Sequence, residues 1–118
     1  MSVEENKATI RRILDEVNRG NLDIIDECFA ANFVRYAYDG KTMDRQGYRN
    51  MAAAILKNAP DTRIVVDDMV GEGDKVAWRM TLTWTSNGKP GAAKETYFAR
   101  FEGGRVVEYV NLVRFLGA

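Results

Sequence analysis

The chain of 118 residues has no histidine and a single cysteine, Cys28. Its chemistry therefore falls to carboxylates, arginines, hydroxyls and amides. A Ser-His-Asp or Cys-His nucleophile is excluded, and the commonest general base is missing. An internal disulfide and a cysteine–histidine zinc site are impossible. Cys28 has no recognisable base beside it and reads as a small buried apolar residue. Arg79 suits a ligand carboxylate or enolate, and equally an ion pair with Glu95 on an adjacent strand. Tyr36, Tyr97 and Tyr109 offer phenols to a ligand carbonyl, or serve as core aromatics with a wet hydroxyl tip. Asn111 fits a ligand or water contact, or a structural amide. The base, if one exists, is sought among Asp39, Asp44 and Glu95. Asp39 also fits a turn and Asp44 a helix cap. Met43 and Met51 suit an adaptable apolar wall or ordinary packing.

The whole-chain arithmetic narrows the field. Basic and acidic residues balance at 17 each, so the basic footprint of a general nucleic-acid binder is missing. Apolar residues make up 46%, too many for a disordered chain and enough for one compact domain over residues 1–118. No run approaches the ~20 apolar residues of a membrane helix, and the first residues lack a signal-peptide pattern. A soluble, cytoplasmic protein is expected. Asp67-Asp68 has no third carboxylate near it in sequence, so no metal site is expected. Gly71-Glu72-Gly73-Asp74 precedes a strand and lacks a third glycine, which makes it a turn rather than a dinucleotide loop. No cofactor is expected.

The elements that must hold these residues fall into two halves. Ser2 and Glu5 form a capping box for a helix whose stripe is Ile10, Ile13, Leu14 and Val17, ended by Gly20. Asn21 is placed to cap a short second helix carrying Leu22, Ile25, Cys28 and Phe29. A strand over Phe33–Tyr38 runs into the turn pair Asp39-Gly40. Asp44 caps a third helix with the stripe Tyr48, Met51, Ala52, Ile55 and Leu56, stopped by Pro60. The period then changes to two. Strands are expected over 63–70, 75–85, 93–101 and 105–115, joined by tight turns that include Asn87-Gly88 and Gly103-Gly104. Helices gathered before an antiparallel meander make the class α+β.

The long strand 75–85 has two unlike faces. Val76, Trp78, Met80, Leu82 and Trp84 point one way, and Ala77, Arg79, Thr81 and Thr83 the other. One face is expected to pack on the helices and the other on a second subunit.

The order of elements resembles the nuclear transport factor 2-like superfamily, and within it the SnoaL-type polyketide cyclase-like proteins. The resemblance is carried by Glu5-Asn6-Lys7 leading into Ile10–Val17, by Gly20-Asn21-Leu22-Asp23, and by Phe29-Ala30-Ala31-Asn32-Phe33-Val34. It continues through Val70-Gly71-Glu72-Gly73-Asp74-Lys75-Val76-Ala77 and Phe101-Glu102-Gly103-Gly104-Arg105-Val106-Val107-Glu108. It implies a cystatin-like curved antiparallel sheet, a cone-shaped half-barrel closed by three helices around a pocket. It also implies that Arg79, Thr81, Tyr97, Tyr109 and Asn111 look into that pocket. Trp78, Met80, Leu82 and Trp84 would then lie on the convex side, as the interface of a homodimer.

The chemistries of this scaffold match unevenly. The acid of the SnoaL-type cyclases falls near Asn111 and their histidine near Tyr36. The oxyanion donors and base of ketosteroid isomerase, a tyrosine, a protonated aspartic acid and a carboxylate, fall on Ile13, Tyr97 and near Tyr36. The aspartate–arginine–aspartate set of the limonene epoxide hydrolases meets Thr81, Arg79 and Asn111, without either carboxylate. The resemblance thus implies a cyclase- or isomerase-like enzyme acting on a small apolar carbonyl compound. Tyr97 and Arg79 would stabilise an enolate, and Tyr36, Thr81, Glu95, Tyr109, Asn111 and Met51 would hold the ligand. Asp39 or Asp44 would relay the proton. The alternative is a non-catalytic homodimer that binds a small ligand on the same fold.

Overall fold

The computed structural model describes residues 2–116. Helix α1 (Val3–Asn18) starts at the expected capping box: Glu5 N donates to Ser2 Oγ and Ser2 N to Glu5 Oε1, both at 3.0 Å. Its stripe Ile10, Ile13 and Leu14 is buried. Gly20, at φ +80°, turns the chain out of the helix, a conformation natural to glycine. That turn swings Asn21 back toward α1, where its side chain donates to Glu16. Leu22 therefore stands at the N-cap of α2 (Asp23–Cys28) in place of the expected Asn21, and makes no side-chain cap bond.

Strand β1 (Phe29–Tyr36) begins where the helical stripe was expected to end, so Phe29 is a strand residue. The Asp39-Gly40 turn leads into a short strand not foreseen from sequence, β2 (Thr42–Asp44). Asp44 then caps α3 (Arg45–Asn58), accepting from Gly47 N at 2.8 Å. Four long strands follow: β3 (Arg63–Glu72), β4 (Lys75–Ser86), β5 (Lys89–Glu102) and β6 (Arg105–Phe115). The sheet order is β2-β1-β6-β5-β4-β3, antiparallel throughout except for β1 on β6. The parallel pair arises because the first half of the chain returns to the edge that the meander leaves open. The result is the expected α+β class, three helices set in the concavity of a curved, unclosed sheet.

The register decides which side chains share a face. Trp78 pairs with Tyr97 and Tyr97 with Asn111, while Met80 pairs with Glu95 and Glu95 with Val113. These residues lie on the concave side, under the helices. Trp78 and Met80 are 2% and 3% exposed, and Leu82 packs against the same core. The sequence expectation for β4 is therefore reversed. Its large apolar face looks inward, because that is the area the helices must cover. Beneath the cavity, Phe29, Phe33, Tyr48, Tyr97, Trp78 and Tyr109 form one aromatic cluster. Within it Trp78 and Tyr97 stack at 5.3 Å and 8°.

Side chains fasten the helices to the sheet. Asn18, at the end of α1, donates to Ile64 O and accepts from Ile64 N, each at 2.8 Å. It thereby satisfies a backbone pair on the sheet's edge strand. Arg49 of α3 reaches Asp23 and Asp26 of α2 and closes the helical layer.

Candidate functional site

A cavity of about 580 Å³ opens between α3, the end of α1 and the concave face of the sheet. Its size is that of a small-molecule site. Along β5 its wall runs inward through Ala93, Glu95 and Tyr97. Trp84, Phe115, Ile55 and Ile64 make much of the lining apolar, beside the uncharged polar side chains of Asn18, Asn58, Thr62 and Ser86. The inner part carries the charged groups and phenols: Glu95, Arg35, and the hydroxyls of Tyr48 and Tyr97. Met51 of α3 lines it as expected.

Among the described residues, Glu95 is the one carboxylate in the lining. Burial pushes its carboxyl above the ordinary 4.5, against the opposing pull of Arg35 and of hydrogen bonds from Tyr97 and Asn111. Asn111, itself 1% exposed, donates to Glu95 Oε1 at 3.2 Å and accepts from Arg35 Nε at 3.1 Å. The phenols are held neutral. Burial pushes Tyr48 up to about 12, and Tyr97 and Tyr109 well above the ordinary value. Buried neutral phenols can donate to a developing oxyanion without ionising first.

Several residues expected in the pocket stand elsewhere. Arg79 and Thr81 are on the outer face of β4. Arg79 makes a two-point ion pair with Asp68, and Thr81 donates to Asp67. The expected pairing of Arg79 with Glu95 fails by one residue. Arg79 is opposite Thr96 and Met80 is opposite Glu95, so arginine and glutamate point to opposite faces. Tyr36 is on the outer face and half exposed. Asp39 is an exposed turn residue whose carboxylate accepts from Lys41 N, and Asp44 is the cap described above; neither lines the cavity. Tyr109 lies below the floor, fully buried, with a hydroxyl that meets no partner among the described residues.

Arg35 and Tyr48 are the site residues that sequence reasoning missed. The signal was present in β1: Phe33 is an apolar residue due inward, and Arg35, two positions on, shares its face. A second hollow beside Trp84 holds one ionisable group, Asp61. It is engaged by Thr85, whose hydrogen bonds hold its carboxyl below the usual range. Among the described residues no cluster of three His, Cys, Asp or Glu is placed to hold a metal, and no helix is long and apolar enough to cross a membrane.

A cone-shaped sheet wrapped on three helices around an inward-facing carboxylate defines a protein of the nuclear transport factor 2-like fold. The sequence matches the SnoaL-like domain over residues 10–109, and the chain belongs to that family. No curated protein matches it. Among solved structures it is similar to AclR, a "putative hydroxylase" from Streptomyces galilaeus. That likeness has TM-score 0.90 and 24% identity, over 98% of this chain and 83% of that one. It is similar also to IdmH, a "putative polyketide cyclase" from Streptomyces antibioticus, with TM-score 0.83 and 24% identity over 92% and 91%. A "putative SnoaL-like polyketide cyclase" from Jannaschia sp. CCS1 superposes with TM-score 0.83 at 18% identity, over 94% and 86%. Identities this low establish the shared fold alone.

Proposed function

We propose that the protein is an acid/base enzyme of the cyclase or isomerase kind, acting on a small carbonyl compound with Glu95 as its proton-transfer group. The observation that carries this reading is a lone carboxylate inside the cavity, pushed up by burial and oriented by Asn111. A carboxyl that burial makes more basic than a free one is better suited to take a proton from carbon, and it can return it. Glu95 removes a proton from the carbon next to the substrate carbonyl. The electron pair moves onto the carbonyl oxygen, where the Tyr97 phenol or the Arg35 guanidinium stabilises it. The enolate carbon then either takes the proton back at another position or bonds to a second carbonyl carbon of the same molecule. In the second case the new alkoxide takes the proton from Glu95. IdmH and the Jannaschia protein, each described as a "putative" polyketide cyclase, are in keeping with this chemistry.

The test is exchange of the α-protons of 2-tetralone in deuterated water, followed by proton NMR. Glu95→Gln is expected to lower the rate by about 10²–10⁴-fold. An unchanged rate removes Glu95 from the reaction. Binding of 2-tetralone with no exchange by the native protein would establish the ligand-binding alternative.

The homodimer belongs here as well, on a different set of residues. The outer face carries an apolar row across five strands: Val70, Ala77, Phe98, Val110 and Tyr36, each paired with the next. Val70 is 65% exposed and Leu112, one row further, 61%. We place the second copy there, since apolar area of this extent marks a contact surface. The flanking charges are of both signs, Arg79 and Arg100 beside Asp68 and Glu108, so two copies related by a two-fold axis can match them.

A further inference from the structure

We infer that the cavity selects an amphipathic anion: a planar carboxylate on Arg35, with a flat apolar body toward the mouth. This rests on the same site as the proposed acid/base reaction and names the class of molecule it takes.

Arg35 is a half-buried cation without an acidic partner. Among the described residues its guanidinium forms no ion pair within 4 Å. Its Nε is bonded to the neutral Asn111 amide at 3.1 Å. Its Nη1 faces two thioether sulfurs, Met51 Sδ at 3.7 Å and Met43 Sδ at 4.0 Å. Sulfur is a weak acceptor, and Nη2 has no acceptor at all among the described residues. By contrast, Arg12 meets Glu27, Arg49 meets Asp23 and Arg79 meets Asp68 directly. Burying a guanidinium costs free energy unless an anion compensates it. Glu95 faces Arg35 only across the Asn111 amide, so no carboxylate oxygen meets the guanidinium directly.

The open edge of the guanidinium is a fork of N–H groups that matches a planar pair of oxygens. The rest of the cavity fixes the other end. Leu82, Ile64, Trp84 and Phe115 make the wall largely apolar, with uncharged polar side chains, Thr62 and Ser86 among them, and no further charged group in the lining among the described residues. A ligand with one anionic end and a flat hydrocarbon body satisfies both parts in one orientation. Its carbon atoms nearest the anion then lie toward Glu95.

The experiment compares 2-naphthoate with its neutral isostere 2-naphthamide by titration calorimetry at neutral pH, using the native protein, Arg35→Met and Arg35→Lys. The native protein is expected to bind the naphthoate at least about tenfold tighter than the naphthamide. Arg35→Met, which leaves the apolar stem to pack on Met43 and Met51, abolishes the difference, and Arg35→Lys keeps part of it. Failure of proton exchange with this binding intact would overturn the enzymatic reading and leave this one standing. Equal affinity for the two probes, no naphthoate binding at ~1 mM, or a preference that survives in a folded Arg35→Met overturns it.

Discussion

Glu95 and Arg35 are coupled across a buried amide rather than by an ion pair: Asn111 donates to Glu95 Oε1 at 3.2 Å and accepts from Arg35 Nε at 3.1 Å. The bridge keeps opposite charges in one cavity without letting them neutralise each other by contact. Glu95 is left free to gain and lose a proton, and Arg35 is left with an unengaged edge. A direct pair would have fixed both in their charged forms.

The raised carboxyl has a signed consequence for stability. A group that binds its proton more tightly folded than unfolded contributes stability that is fully present below its unfolded value. That stability is lost as pH rises through the folded one. Burial raises Glu95 above 4.5, so the native protein loses this contribution on going from acid toward neutral pH. Glu95→Gln, which is neutral throughout, is expected to melt higher than the native protein at neutral pH. The gap should close as pH falls below the ordinary carboxylate value. Thermal unfolding across that range measures it, and a gap that widens in acid would contradict the burial of this group.

Gly91 is required by its neighbour. A Cβ there would lie 2.5 Å from Cε2 and Nε1 of the Trp84 indole, well inside contact distance. The indole lies flat over the glycine and meets Phe115 edge-on at 6.4 Å at the cavity mouth. Gly91→Ala is expected to destabilise the fold by ~1–3 kcal/mol, the usual cost of forcing a packed side chain to move. It should also shift the tryptophan emission, because the indole must leave its seat. Trp84→Ala in the same chain relieves the clash, so the double variant should lose less than the sum of the two single changes. Strict additivity would show that the contact carries no strain.

Much of the fold was legible in the residues themselves. The capping box at Ser2, the stripes of α1 and α3, the Asp44 cap and the Asn87-Gly88 and Gly103-Gly104 turns are local signals, and each stands where the sequence placed it, whereas Gly71 and Glu72, expected in a turn, extend β3. The site was legible only in part. Glu95, Tyr97 and Met51 line the cavity and Asn111 stands behind it, while Arg79, Thr81 and Tyr36 lie on the other face of the sheet. The error has one physical origin. Alternation tells which residues of a strand share a face, but not which face is inside. For β4 the resemblance implies a convex-side dimer interface and so puts Trp78, Met80, Leu82 and Trp84 outside and Arg79 and Thr81 inside. Apolar area decides it, since one buried arginine face would have left four large side chains wet. Arg35 stayed hidden because the residue that engages it, Asn111 of the neighbouring strand β6, lies 76 positions away in sequence.

Asn18 offers a test of how the cavity wall is held. Its amide satisfies both backbone groups of Ile64, each at 2.8 Å, on the edge strand beside the mouth. Asn18→Ala leaves that donor and acceptor without their partner. A loss of ~1–3 kcal/mol is expected in chemical denaturation. Amide exchange at Ile64 should accelerate more than at β4, because water enters at the edge strand first. Equal acceleration across the sheet would mean that the helix is not fastened there.

Arg79 provides the sharpest contrast with expectation. It is an exposed outer-face residue bound to Asp68, so Arg79→Ala should leave naphthoate binding and proton exchange unchanged. Its loss should lower stability little, as exposed ion pairs contribute little. The same face carries the proposed contact between copies. Phe98→Arg with Leu112→Arg is expected to give a folded monomer by sedimentation, since both side chains are exposed and their loss opens no cavity. Trp78→Ala behaves oppositely. It removes a buried ring from the aromatic cluster and should cost ~3–5 kcal/mol of folding stability, whatever the state of association. A dimer that survives the outer-face pair, or a Trp78→Ala protein of native stability, would reverse the assignment of the two faces.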